Sequence, residues 1–289
     1  MNWAMMTVGA AFFYAIVGII DKFIIGHDIR DPVFVTTVMG IVTFVLLGAI
    51  SLFMGHIMMP VHLIIVSMSA GMIFRGAVIL YFEALQKGEI SSIAPVMSTK
   101  SIFLIIFAMI FLGEHFPILT YFGIGFITLG VALISYERKK VMVSWAVMIA
   151  IGTAALFAIR TILVKYVVLT QDVWSPLFWF GLGNAVIAGF LLFTHHSHVF
   201  SRAREGMWLS IVSVTLNTVA FVLLTMALVK GPATLVGSLA QLEILFVFIL
   251  ALGISFFHPD MLHERLNEEV IVQKGLAVFL VIAGALMIV

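Results

Sequence analysis

Cysteine is absent from this sequence, so neither a disulfide framework nor thiolate chemistry is available to the protein. Charge is scarce as well: Asp, Glu, Lys and Arg make up 10% of the chain, against about 25% in ordinary soluble domains. No polar tract is long enough to build a water-soluble domain. The patterns by which soluble enzymes hold phosphate, zinc or an acyl group are missing: there is no Walker loop, no G-x-S-x-G and no H-E-x-x-H. We therefore expect no enzyme, no catalytic residues and no cofactor. A formal net charge of +1 offers no basic surface, and no nucleic-acid partner is expected.

What the chain has in abundance is hydrophobicity. Apolar residues make up 63% of it, well above the roughly 45 to 50% of soluble domains, and they fall into runs of about the 20 residues that cross a hydrocarbon core as a helix. Ten such runs are marked off by short polar interruptions: 3–25, 33–54, 61–85, 90–112, 118–136, 143–169, 173–193, 207–229, 233–257 and 270–289. Barrel strands would instead give alternating segments of about ten residues, so the expectation is an all-α integral membrane protein with ten transmembrane helices. The first run has no basic residues before it and no small-residue cleavage site after it. It is expected to be a retained transmembrane helix and not a removed signal.

The chain also repeats itself. A shift of 143 residues lays "ALQKGEISSIAPVMSTKSIF" on "ALVKGPATLVGSLAQLEILF" without a gap, so that Ala84, Leu85, Lys87, Gly88 and Phe103 meet Ala227, Leu228, Lys230, Gly231 and Phe246. The same shift pairs Gly9 with Gly152, Ala15 with Ala158 and Lys22 with Lys165. Only the last pair of helices leaves the register, because "HPDMLHERLNEE" is longer than the matching "GEHFP". Each half then holds five helices, 1–140 and 141–289. An odd number sends the second half into the membrane from the opposite side, which makes the repeats inverted. That arrangement is common among secondary transporters, whose sites lie near the midplane where the repeats face each other.

The stretch "YFEALQKGEISSIAPVMSTKSIFLIIFAMIFLGEHFPILTYFGIGFITLGVALIS" resembles the EamA repeat of the drug/metabolite transporter superfamily. The likeness rests on Ala84 and Leu85 closing the third helix, Pro95 in the fourth, Gly113 and Glu114 after it, and Gly130 and Val131 in the fifth. It covers the chain as two five-helix repeats and implies export or exchange of small metabolites without naming one. The second half departs from the pattern, with Ser238 at the Pro95 position and no Gly-Glu pair.

Four ionisable residues lie well inside spans, where charge is costly and function is the default explanation: Arg75, Lys100, Arg160 and Glu243. The 143-residue shift sets Lys100 on Glu243, opposite charges at equivalent places. They read either as a structural ion pair or as walls of a substrate cavity. Three cations against one acid favour an anionic or zwitterionic substrate, and the arginine fork suits phosphate or carboxylate. Asn184, Asn217, Gln241, Tyr14, Tyr81 and Trp179 supply candidate hydrogen bonds or aromatic walls, with interhelical bonds and ring packing as the plainer alternative. Asp21, Lys22, Glu83 and Glu89 lie near helix ends and read as interfacial. The glycines of "GIGFITLG" read as close helix packing. Two histidine clusters, His195, His196 and His198, and His258 and His263 with Asp260 and Glu264, fall in polar connectors; they read as solvated loops, and no metal site is expected.

The leading expectation is thus a gradient-driven transporter in the cell membrane, with a small-molecule substrate, a coupling proton or ion, the lipid bilayer as surroundings, and a monomeric or homodimeric state. A lipid-phosphate translocase and a cation or metal exporter are the alternatives. For orientation, connectors after odd-numbered helices hold Lys22, Arg30, Lys87, Arg138, Lys139, Lys140, Arg202, Arg204, Arg265 and Lys274, whereas the other face holds Lys165 and Lys230. That asymmetry makes the first face cytoplasmic and puts both termini outside.

Overall fold

The structure is a computed structural model that describes residues 2–23, 32–55, 57–87, 93, 96–135, 145–194, 207–257 and 268–289. Every regular element among them is helical. In chain order they are α1 (Trp3–Phe23), α2 (Pro32–Phe53), α3 (Val61–Lys87), α4 (Lys100–Leu112), α5 (Ile118–Ser135), α6 (Trp145–Val168), α7 (Trp174–Thr194), α8 (Met207–Lys230), α9 (Ala233–Leu239), α10 (Leu242–Phe257) and α11 (Glu268–Ile288). Among the described residues eight stretches are long and apolar enough to cross a membrane, α9 and α10 together making one of them, and the apolar helices 100–112 and 272–288 are shorter. Helices are the form this composition permits, because in hydrocarbon each backbone N–H and C=O must be satisfied within its own segment.

Local chemistry fixes the helix ends. Five of the seven prolines stand at or within three residues of a helix start, namely Pro32, Pro60, Pro117, Pro176 and Pro232, where a missing N–H costs nothing. Asp172 opens α7 by accepting from the backbone N–H of Trp174 and Ser175, at 2.7 and 2.8 Å, as an N-cap carboxylate does. Gly113 closes α4 in the left-handed region, φ 66°, which only glycine enters without strain.

The helices cross between the two halves of the sequence. The closest pairings are α5 with α11, α2 with α7, α3 with α6 and α1 with α8, followed by α3 with α7, α4 with α6, and α1 with α10. Glycines permit the tightest of these contacts. A Cβ added at Gly71 would run into the carbonyl oxygen of Phe180, and one at Gly183 into that of Met68, so α3 and α7 meet backbone to backbone. On α5, Gly123 faces Gly284, and a Cβ at Gly130 would lie 2.7 Å from the carbonyl oxygen of Ala277; these are two of the glycines in "GIGFITLG", in the packing role expected of them. The outer surface is the reverse of a soluble protein's, with Phe111, Phe122, Phe190, Phe279 and Leu286 all exposed. Large bare aromatic and aliphatic groups on helices of this length belong against lipid.

Candidate functional site

The fourth and ninth spans are not continuous helices, and this is where the structure departs from ten simple rods. In the fourth, Ser98 and Thr99 form a turn ahead of α4. In the ninth, Ala240 and Gln241 form a turn between α9 and α10. Both turns are tightened by bonds from residue i to i−3: Ser101 N–H to Ser98 O at 3.3 Å, and Ile244 N–H to Gln241 O at 3.1 Å. These two bonds are related by the same 143-residue shift that aligns the sequence. Tight turns inside a helix commonly mark functional positions. The two interruptions also touch, since the Gln241 side-chain amide donates to the Ser101 hydroxyl.

Each interruption starts a new helix, with its positive dipole end in the protein interior, and each start carries a charge. Glu243 lies in the first turn of α10, where a carboxylate is favoured. Lys100 is the first residue of α4, where a cation is disfavoured and the local potential becomes more positive. Among the described residues Lys100 and Glu243 form no ion pair. The Lys100 ammonium lies instead 5.9 Å from the ring centre of Phe157, close enough to Glu243 and Arg160 for their charges to act on it.

Arg160 completes the group. It comes from the middle of α6, is 4% exposed, and its guanidinium sits among three rings: Phe221 at 4.5 Å, Phe74 at 5.0 Å and Phe180 at 5.6 Å. Cation–π contacts of this kind contribute about 0.5 to 2 kcal/mol each, yet they do not satisfy the N–H donors of the fork. Its Nε is buried with no hydrogen-bond partner. The hydroxyl of Tyr14 on α1 interacts with the guanidinium. Residues far apart in sequence, Tyr14, Lys100, Arg160 and Glu243, thus lie close enough for their charges and polar groups to act on one another.

The remaining sequence candidates divide. Arg75 is 2% exposed and its polar atoms are engaged, Nε donating to Asn184 Oδ1 at 3.2 Å and Nη2 to Thr43 Oγ1 at 3.5 Å. Asn184 in turn donates to the carbonyl of Phe180 at 2.9 Å, so Arg75 and Asn184 tie α2, α3 and α7 together behind the Phe74 ring that both arginines approach. Tyr81 lies near enough to Glu243 and Asp21 for their charges to act on it. Asn217 is half-buried on α8. Trp179 lies elsewhere: its ring N–H donates to the carbonyl of Ile57, at 2.9 Å, in the connector before α3.

Three residues do more than their places near span ends suggest. Asp21, half-buried at the end of the first span, accepts a hydrogen bond from Ser213 of α8. Lys165 is 8% exposed, and its ammonium donates to the carbonyls of Leu228 and Gly231, at 2.7 and 3.0 Å, so it closes the C-terminal end of α8 and is not a loop cation. Glu114 reaches across to the start of α9 and accepts from the N–H groups of Ala233 and Thr234 at 2.6 and 2.9 Å. Trp3 packs on Gly231 between them. One end of the molecule is thereby fastened around the α8–α9 connector. Replacing Glu114 with Ala should remove about 0.5 to 2 kcal/mol, as loss of a helix cap does. Thermal melting checks this, and Glu114→Gln, which keeps one acceptor, should fall between the two.

Among the described residues no three His, Asp or Glu side chains converge as a metal site. Both histidine clusters and Glu89 lie outside those residues, as do most of the cations used to orient the chain.

No curated protein matches the sequence. A solved crystal structure of another protein superposes on 99% of this chain and 95% of its own length, with a TM-score of 0.76 at 15% identity, which establishes a shared fold. Residues 1–136 match the EamA-like transporter family, a span that contains α1 to α5 with Tyr14, Arg75 and Lys100. Residues 1–136 thus carry a likeness to an EamA-like transporter, within a chain that is a multi-pass membrane protein.

Proposed function

We propose that the protein moves a small anionic or zwitterionic metabolite across the cell membrane by gradient-driven alternating access, with 1–140 and 141–289 acting as inverted repeats. Helix pairing supports the repeats: exchanging each helix for its counterpart in the other half turns the α3–α6 contact into α8–α1, and returns α2–α7 and α5–α11 to themselves. The observation that carries the substrate assignment is the buried Arg160 fork, with its Nε unpartnered, beside Lys100 at the start of a half-helix. An oxyanion would accept from that edge and sit at the positive end of the α4 dipole. Glu243 faces the same space and suits the ammonium of a zwitterion.

The test is uptake of labelled carboxylates, phosphates and amino acids into proteoliposomes containing the purified protein. Arg160→Gln should lower transport at least tenfold while the protein still folds. Arg75→Gln should act chiefly on stability, because its partners Asn184 and Thr43 would be left behind in the core. Wild-type transport by the Arg160 variant would remove the oxyanion site from the reading.

A further inference from the structure

Lys165 is a buried cation that the anion site does not use. It stands near the end of α6, about 7.5 Å along the helix from Arg160, and its ammonium donates to the carbonyls of Leu228 and Gly231 at the C-terminal end of α8, at 2.7 and 3.0 Å. The seam it crosses closes in layers. Innermost, the rings of Phe180 and Phe221, with centroids 4.3 Å apart, both approach the Arg160 guanidinium and both line a small void bounded also by Val164 of α6 and Thr225 of α8. Next, Val164 and Val168 belong to one buried cluster with Leu224 and Leu228. The lysine is outermost, with Trp3 against Gly231 beside it. A permanent strut would be served by an apolar side chain. An ammonium held by neutral carbonyls at the negative end of a helix dipole, on a flexible stem close to the end of its span, can exchange those bonds for water. The two halves also differ at this seam. Exchanging them turns α6–α8 into α1–α3, and α3–α7 into α8–α2. Among the described residues α6 and α8 meet at several places whereas α1 and α3 scarcely touch, and α3–α7 is a closer pairing than α2–α8. The seam that Lys165 crosses is thus packed shut while its counterpart is not.

We infer that the α6–α8 seam is a gate, closed in this structure, and that the Lys165 ammonium is its latch on the carbonyl end of α8. Opening breaks no covalent bond and moves no proton. The ammonium leaves Leu228 and Gly231 for water, the Phe180–Phe221 stack parts, and a way opens from this end of the molecule to Arg160. The gate's part in transport rests on the transporter reading above, whereas the latch itself does not.

The natural absence of cysteine lets the two ends be read separately. Thr225→Cys reports on the gate, and Met39→Cys, buried at the other end with Phe82 and Val214, reports on the opposite side; each is reacted with a water-soluble maleimide in the purified protein in lipid. Adding Lys165→Met should speed labelling at Thr225→Cys tenfold or more and leave it unchanged or slower at Met39→Cys. Lys165→Arg, which still donates to the carbonyls, should keep both rates near those with lysine in place. A general loosening of the fold would speed both positions, so equal acceleration at the two overturns the gate, as does an unchanged rate at Thr225→Cys. Trp3→Ala, which uncovers Gly231 and leaves the ammonium in place, should likewise speed Thr225→Cys alone, and it decides the matter if the Lys165→Met protein does not fold. In proteoliposomes, a reducible crosslink between Val164→Cys and Thr225→Cys should abolish uptake of a transported carboxylate, and reduction should restore it; uptake that survives the crosslink overturns the gate's part in transport. If wild type transports no anion, the transporter reading fails while the labelling rates still decide the latch.

Discussion

Lys100→Gln should leave the protein folded and remove nearly all of its transport. Were Lys100 held in an ion pair, losing it would strand Glu243 at a cost of about 3 to 5 kcal/mol. No such pair is formed; the ammonium rests near Phe157, and Glu243 keeps its favourable place in the first turn of α10. The melting temperature should therefore stay close to wild type. A charge-assisted bond to a substrate oxyanion contributes about 1.5 to 3 kcal/mol, which corresponds to roughly a 10- to 150-fold loss in transport efficiency. The exchange Lys100→Glu with Glu243→Lys should not restore it, because the start of α4 would then present a carboxylate to an anion. A folded and fully active Lys100→Gln protein would leave the charge without a role in binding.

The largest effects on folding should come from two residues with no chemistry at all. Gly71→Ala and Gly183→Ala each place a methyl group against a backbone carbonyl of the opposing helix, and neither α3 nor α7 can yield without breaking other contacts. Over-packing costs about 1 to 3 kcal/mol and more where backbone must move. Because α3 carries Phe74 and Arg75 and α7 carries Phe180 and Asn184, separation of the helices should also open the ring cage around Arg160. The same substitution at Gly76 or Gly125, where an added Cβ meets nothing within 4 Å, should leave stability unchanged or higher. Melting curves of the four variants in detergent check the contrast, and equal stability of all four would contradict the tight α3–α7 contact.

Hydropathy made the spans legible, and the charges within them pointed to Lys100, Arg160 and Glu243, since a residue that costs energy in lipid needs a reason to be there. The interruptions were hidden. "MSTK" and "LAQL" contain no glycine or proline at the turns themselves, and an apolar run reads the same whether its helix is whole or tightened for one turn. The partners of Asp21 and the burial of Lys165 were hidden for a different reason. Distance from the end of a run measures depth along one helix, whereas burial depends on which neighbours reach that depth; Ser213 comes from 192 residues away and the Gly231 carbonyl from 66. The separation of Arg75 from Arg160 was likewise beyond the sequence, because only the fold places Thr43 and Asn184 beside one and three phenyl rings around the other.

The paired turns at 98–99 and 240–241 have a mechanical consequence. A continuous helix resists bending over its whole length, but a rod that begins at a tight turn can swing about that point with only a few bonds disturbed. α10 has 16 residues beyond its turn, a lever of about 24 Å at 1.5 Å per residue, so a tilt of about 10° would carry its far end through roughly 4 Å. The Gln241–Ser101 bond joins the two pivots, so that one lever cannot swing without loading the other. The far end of α4 is meanwhile pinned through Glu114 to α9. Movement about these pivots would therefore be felt first at the opposite end of the molecule, where α10 runs free of that fastening.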